Sequence, residues 1–272
     1  DAVRTPGGKR AGKLKDWHPV DLAAEVLKEL VKRNSLDPAM VDDVIMGCVS
    51  QTGEQSINVG RNALLAAGFP EHVPGITIDR QCGSSQQAVH FAAQGIMAGA
   101  YDIVIAAGVE SMTRVPMGIT LQQGPGLPFG PKMMDRYDSG LVPQGISAEM
   151  IADEWGIARD EVDQLAYESH QRAMEATEEG RFDREIVPIE IKNEDGTVEM
   201  MTRDEGFRPT TTVEALGGLK PAFKEDGVVT AGNSSQITDG AAAVLVMSEE
   251  KAAELGLTPR ARFKAFSVVG VD

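Results

Sequence analysis

Two cysteines and four histidines are the obvious candidates for covalent or acid–base chemistry, and they are unequally placed. Cys82 follows the segment Val73 to Asp79, which alternates apolar and polar residues through Ile76 and Ile78 as a strand does. It precedes Gly83-Ser84-Ser85 and a small-residue helix from Gln86 to about Ala98, closed by Gly99. Strand, cysteine, short turn and helix put a thiol at a sheet edge and at a helix N-terminus. There the dipole and free backbone N–H groups stabilise negative charge on sulfur. Gly83 and the two serines leave the approach open to a bulky acyl thioester. A nucleophilic cysteine suits an acyl group that must leave again, because one thioester exchanges with another thiol at little free-energy cost. The alternative for a lone cysteine is a small buried hydrophobe, and Cys48, inside the apolar run from Val44 to Val49, fits that description.

The histidines offer Cys82 no local base. His90 lies eight residues further on, about 12 Å along a helix axis at 1.5 Å per residue, which is too far to reach the thiolate. His18, beside Pro19, and His170, on a charged helix, read as surface or packing residues. His72 sits in a loop before a strand with no evident partner. A general base must come from a distant part of the fold or lie outside these 272 residues.

The elements that must position Cys82 alternate between strand and helix. Asp1 to Pro6 reads as a short strand, Val20 to Val31 as a helix, Val44-Ile45-Met46 as a buried strand and Asn58 to Ala67 as a second helix. Asp102 to Gly108 is a continuous apolar strand, as expected where helices cover both faces of a sheet. The pattern predicts an α/β class with a mixed, mostly parallel sheet and helices on both faces. After Arg114 the character changes: residues 115–145 are rich in Gly, Pro and Met and read as irregular loop. Helices follow at 148–155 and 159–179, then a strand at 186–192 with an Asp195-Gly196 hairpin turn. Apolar character returns at Ala241 to Met247, followed by a helix from Glu249 to Leu255 and an alternating strand from Arg260. Residues 1–114 and 227–272 therefore read as one α/β domain, interrupted by an inserted domain over 115–226.

Bulk properties exclude several classes of function. The chain is 42% hydrophobic and 25% charged, ordinary for a globular protein. No apolar run is long enough to insert in a membrane. With 26 Lys and Arg against 41 Asp and Glu, the formal charge of −15 argues against nucleic acid, although a few local basic groups can hold a single phosphorylated ligand. Neither cysteine belongs to a Cys-x-x-Cys pair, so neither a disulfide framework nor a metal site is expected. The natural setting is a reducing one, the cytoplasm, with an organellar matrix the alternative.

Eight segments resemble thiolases, in order and at similar separations. They are Arg4-Thr5-Pro6, Val44-Ile45-Met46-Gly47, Asp79-Arg80-Gln81-Cys82-Gly83-Ser84-Ser85, Gly108-Val109-Glu110-Ser111-Met112, Gly206-Phe207-Arg208-Pro209, Leu219-Lys220-Pro221-Ala222-Phe223, Thr230-Ala231-Gly232-Asn233-Ser234-Ser235-Gln236 and Asp239-Gly240-Ala241-Ala242. Each is weak alone, but the ordered set is specific. The resemblance implies two similar α/β halves, the first carrying an inserted loop domain. It implies an acyltransferase in which Cys82 accepts an acyl group from one thioester and passes it to a second acceptor. It also implies coenzyme A contacts: Arg208 near the nucleotide end, where a guanidinium suits an adenine face or phosphate, Ala231 and Ser235 along the pantetheine arm, and Phe223 beside it. The bland alternatives are a solvated loop arginine for Arg208 and a core residue for Phe223. Coenzyme A and acyl-CoA enter as substrates and no cofactor is implied; a homodimer or homotetramer is.

The resemblance also marks what is missing. Thiolases take a histidine from a Gly-His-Pro motif, a second cysteine from a Cys-x-Gly-Gly-Gly motif and an Asn from their C-terminal half, and none of these motifs occurs here. The segment Phe266 to Val271 resembles the joint between the halves. These residues alone are therefore expected not to turn over. Pro143 to Glu149 lacks the His-Met pair of biosynthetic acetoacetyl-CoA members, and Ser234-Ser235-Gln236 resembles degradative ones. The expected reaction is thiolytic cleavage of a 3-ketoacyl-CoA to acetyl-CoA and a shortened acyl-CoA. The rivals are a biosynthetic thiolase, a ketoacyl synthase relative, and a non-catalytic acyl-CoA-binding or scaffold protein.

Overall fold

The computed structural model describes residues 1–122, 124–137 and 140–270. They form two compact units. The first comprises residues 1–120, 184–204 and 238–272, and the second 121–183 and 205–237.

A six-stranded mixed sheet organises the first unit. Its strands are β1 (Ala2–Arg4), β2 (Gly8–Lys9), β3 (Asp43–Gly47), β4 (Gly75–Ile78), β5 (Ile103–Ser111) and, after the second unit, the strand Thr238–Met247. The strand–helix–strand connections make β3 parallel to both β4 and β5, as the alternation predicts. Five of the six strands point the same way, giving the mixed, mostly parallel sheet expected, and one strand runs against them. Thr238–Met247 runs antiparallel to β5, and β1 and β2 pair antiparallel with it. Its preceding connection is a whole second unit rather than a crossover helix, so strand–helix alternation says nothing about its direction.

Alternate residues of the central strands face opposite cores. Val44 and Met46 of β3 with Ile103, Ile105 and Ala107 of β5 look to one side, where α1 (Pro19–Arg33) and α2 (Val59–Ala66) cover them. The apolar stripe Leu22, Val26, Leu27 and Leu30 of α1 is fully buried there. Ile45, Val104 and Ala106 look to the other side, against Ala88, Ala92 and Ala93 of α3 (Ser84–Met97). Small alanines let α3 lie close to the sheet, which fixes where its N-terminus meets the strand ends.

The hairpin β6 (Ile189–Lys192) and β7 (Val198–Met201) lies inside the stretch read from sequence as one insertion, yet it belongs to the first unit. Its inward residues Ile189, Ile191 and Met201 complete the α1-side core. With the hairpin introduced, Thr238–Met247 is β8. In the second unit the irregular stretch carries a one-turn helix, α4 (Pro131–Met134), while Gln123, Asp138 and Ser139 lie outside the described residues. The helices α5 (Gln144–Trp155), α6 (Arg159–Glu178) and α7 (Val213–Gly217) follow. Back in the first unit, α8 (Glu249–Glu254) succeeds β8, but the strand expected from Arg260 does not form. Residues 260–265 are exposed and pair with no strand; Phe266 packs against the α3-side core, and Phe263 stacks on it with ring centroids 5.7 Å apart. The expected joint runs to Val271, which with Asp272 lies outside the described residues.

Candidate active site

Cys82 sits at the carboxyl ends of the parallel strands, the edge at which open α/β sheets gather their chemistry. After β4 the chain makes one tight turn. Asp79 Oδ1 accepts the Gln81 N–H at 2.6 Å, and Gln81 takes a left-handed conformation with φ of +47°. For a residue other than glycine that conformation costs about 1–2 kcal/mol, and the neighbours must hold it. Ser84 does so: its Oγ accepts the Arg80 N–H at 2.9 Å and donates to the Gln81 carbonyl at 2.6 Å. Gly83 caps α3 and Cys82 is exposed, so the buried-hydrophobe alternative does not describe it. Two of the N–H groups expected to be free are used in the turn, Gly83 N–H to Arg80 O and Ser84 N–H to Gln81 O.

Two glycines seat this turn. Gly47, the last residue of β3, and Gly108, within β5, are register partners. A Cβ on Gly47 would fall 2.3 Å from Ser85 N, and one on Gly108 would fall 1.9 Å from Ser85 Oγ. Neither position admits a side chain while the cysteine turn stays where it is.

Beside this platform lies a polar network that was not foreseen. Gln55, fully buried, donates to Glu110 Oε1 at 2.8 Å and to the Ser50 carbonyl at 3.0 Å, and its Oε1 accepts the Ser111 N–H at 2.7 Å. Glu110 also accepts the Val49 N–H at 2.9 Å. The network ties the ends of β3 and β5 together. Cys48 is sealed within it, and burial, then the charges of Glu110 and Asp79, push its thiol up to about 12. It is inert near neutral pH.

Among the described residues no histidine of the first unit hydrogen-bonds to Cys82. His18 caps α1 through the Val20 N–H, His72 Nε2 lies 3.1 Å from the Ala39 carbonyl, and the His90 ring meets Phe266 edge-on at 5.2 Å. An exposed thiol without an adjacent base can accept an acyl group, but it needs its proton removed from elsewhere.

The second unit gathers the other four residues singled out in the sequence: Arg208, Phe223, Ala231 and Ser235, all exposed. The exposure of Phe223, at 45%, sets aside its reading as a core residue. Its ring lies against Gly145 of α5. Ala231 and Ser235 ride on a loop without a strand ladder, so side chains satisfy its backbone. Asn233 Oδ1 accepts the Thr230 N–H at 2.8 Å, Thr230 Oγ1 accepts the Gly232 N–H at 3.1 Å, and Ser234 Oγ donates to the Thr230 carbonyl at 2.6 Å.

The Arg208 backbone is held by a hydrogen bond while its side chain stays exposed. His170 Nδ1 of α6 accepts the Arg208 backbone N–H at 3.2 Å, so this half-buried histidine packs against the loop, as its reading as a surface or packing residue allows. Burial, then the charge of Arg208, hold the His170 imidazole below its ordinary value, consistent with its acceptor role. Next to Arg208, residues 209–214 face Tyr167 and Gln171 of α6 across an open cleft of about 470 Å³. Sequence spacing could not join His170 to a loop 38 residues away. Among the described residues no group of three or more His, Cys, Asp or Glu could hold a metal ion, and no helix is long and apolar enough to cross a membrane.

Comparison with known proteins extends these likenesses. A family model described as the thiolase N-terminal domain matches residues 1–250. A 3-ketoacyl-CoA thiolase of Pseudoalteromonas translucida (strain TAC 125) is 48% identical over all of this chain, which spans 69% of that relative. One from Enterobacter sp. (strain 638) is 46% identical over all of this chain and 70% of its own length. The crystal structure of the Bacillus anthracis acetyl-CoA acetyltransferase matches 95% of this chain with a TM-score of 0.83 and 43% identity. The match covers 66% of that longer chain.

Proposed function

The chain belongs to the thiolase family through its N-terminal domain, and from that premise we propose that Cys82 is the acyl-accepting nucleophile of a 3-ketoacyl-CoA thiolase. In the cleavage direction the Cys82 sulfur adds to the 3-keto carbon. The bond between C2 and C3 then breaks, and its electron pair leaves with the acetyl-CoA fragment, which takes a proton. A second coenzyme A thiol, losing its proton, attacks the acyl-cysteine and releases a shortened acyl-CoA, returning the thiolate to Cys82. The groups that would move those protons, a histidine and a second cysteine in thiolases, are not among these residues.

The observation that carries this reading is an exposed Cys82 on a strained turn, seated against two glycines at the carboxyl edge of the sheet. The second unit is the coenzyme A-binding part in this reading, with Arg208 at the nucleotide end, Phe223, Ala231 and Ser235 along the pantetheine, and the cleft beside Arg208 within reach of its adenosine. Coenzyme A and its thioesters are substrates here and no further cofactor is invoked. The assembly is a homodimer or homotetramer, acting in the cytoplasm.

A biosynthetic acetoacetyl-CoA role is the second reading, favoured by the 43% identity to the acetyl-CoA acetyltransferase. The higher identities to 3-ketoacyl-CoA thiolases over the entire chain, and the absence of His-Met in 143–149, support the degradative one.

The test is alkylation of Cys82 and Cys48 by a mild thiol reagent, read by peptide mass spectrometry with and without acetyl-CoA. Fast reaction at Cys82, blocked by acetyl-CoA with an acetyl group appearing on its peptide, is expected. Equal reaction at the two cysteines, unchanged by ligand, would sink the assignment.

A further inference from the structure

The loop carrying Ala231 and Ser235 is held by two carboxylates that are almost wholly buried. Glu149 of α5 is 2% exposed and Asp163 of α6 is 1% exposed. Glu149 accepts the Val229 N–H through Oε1 at 2.8 Å and the Val228 N–H through Oε2 at 2.9 Å. The loop is shaped to receive it: a Cβ at Gly227 would fall 2.2 Å from Glu149 Oε1, so only glycine lets the backbone come this close. Asp163 grips the other side. Its Oδ1 accepts Asn233 Nδ2 at 2.9 Å, and the same amide donates to the Val228 carbonyl at 3.0 Å. Arg159 satisfies Asp163 Oδ2 at 2.6 Å and reaches the Leu216 and Leu219 carbonyls at 2.6 and 3.0 Å.

Burying a carboxylate is costly unless it is fully hydrogen-bonded, and an apolar pair would fill these positions at no such cost. What carboxylates add is direction, because each fixes the N–H groups that point at it. Resting on the coenzyme A reading above, we propose that Glu149 and Asp163 are positioning residues that fix the 227–236 loop in the conformation that presents Ala231 and Ser235 to the pantetheine arm. Neither carboxylate meets the ligand. Each acts through the backbone and Asn233.

The test uses the full chain with Glu149→Gln and, independently, Asp163→Asn. Glutamine matches glutamate in size but can accept with only one of its two terminal atoms, so one backbone N–H loses its partner. Calorimetry with coenzyme A should show at least about tenfold weaker binding for each variant. Hydrogen exchange should quicken at the Val228 and Val229 amides in Glu149→Gln and across 230–234 in Asp163→Asn. Alkylation of Cys82 by iodoacetamide, which needs no coenzyme A site, should keep its wild-type rate. Wild-type affinity and exchange in both variants would overturn the proposal. So would unfolding of both, which assigns the carboxylates to stability of the unit rather than to the loop. If the wild-type chain itself fails to bind coenzyme A, the ligand reading falls, and the exchange rates alone still decide whether the carboxylates set the loop.

Discussion

Reactivity in this chain is settled residue by residue, by how each side chain meets water and its neighbours. The two cysteines show it most simply. Cys48 is 1% exposed and its thiolate is suppressed until about pH 12, whereas Cys82 is exposed. In the native chain at about pH 8, a thiol reagent should modify Cys82 alone, and Cys48 should react only after denaturation, as peptide mass spectrometry would show. Comparable native labelling of Cys48 would contradict the sealed network of Gln55 and Glu110. The glycine platform makes a second prediction. Gly108→Ala places a methyl group where Ser85 Oγ stands, so either the serine or the cysteine turn must move. A loss of about 1–3 kcal/mol by denaturant titration is expected, together with slower Cys82 alkylation. An alanine variant with wild-type stability and reactivity would mean that the turn is softer than its hydrogen bonds suggest.

At the scale of elements, helices serve here as fixtures for loops. The α3 helix holds the cysteine turn, α5 and α6 hold the 227–236 loop, and α6 also reaches the 206–209 segment through His170. That last contact carries a pH dependence. The folded state favours neutral His170, so its contribution is whole above the unfolded-state imidazole pKa and is lost as pH falls through the lowered folded value. Coenzyme A affinity should therefore weaken as pH drops through the imidazole range, between about pH 7 and 5. His170→Gln supplies an acceptor that does not titrate, so the difference in pH profile between wild type and variant isolates this histidine from titration of the ligand's own phosphates. Superimposable profiles would remove His170 from the account.

For the whole molecule, the shared family and the missing motifs bear on activity. The chain spans 69% of a 3-ketoacyl-CoA thiolase that it matches end to end, and no Gly-His-Pro or second cysteine motif occurs in it. These 272 residues should form the acetyl-Cys82 adduct slowly and give no thiolysis above background in a spectrophotometric assay. Measurable turnover would show that a base exists within the residues described. A longer chain restoring turnover, with Cys82→Ala still inactive, is the complementary expectation.

The primary structure by itself determined the local features and their order. Alternation of strands and helices announced an α/β layer, the small residues after Cys82 announced a helix N-terminus, and eight ordered motifs announced a thiolase. Those signals survive in one dimension because periodicity, capping and close approach act between near neighbours. The rest was decided by tertiary structure. Strand order turned out to place β8 antiparallel to β5, the 184–204 hairpin joined the sheet-bearing unit, and the segment from Arg260 formed no strand. No local signal could pair His170 with Arg208, Glu149 with Val228 and Val229, or Gly47 and Gly108 with Ser85. Each of those contacts joins residues 23 to 80 positions apart, and their meeting depends on how helices pack on a core rather than on the residues between them. Chemistry was therefore legible as residue type and motif, while the means of holding it in place emerged only when the chain was folded.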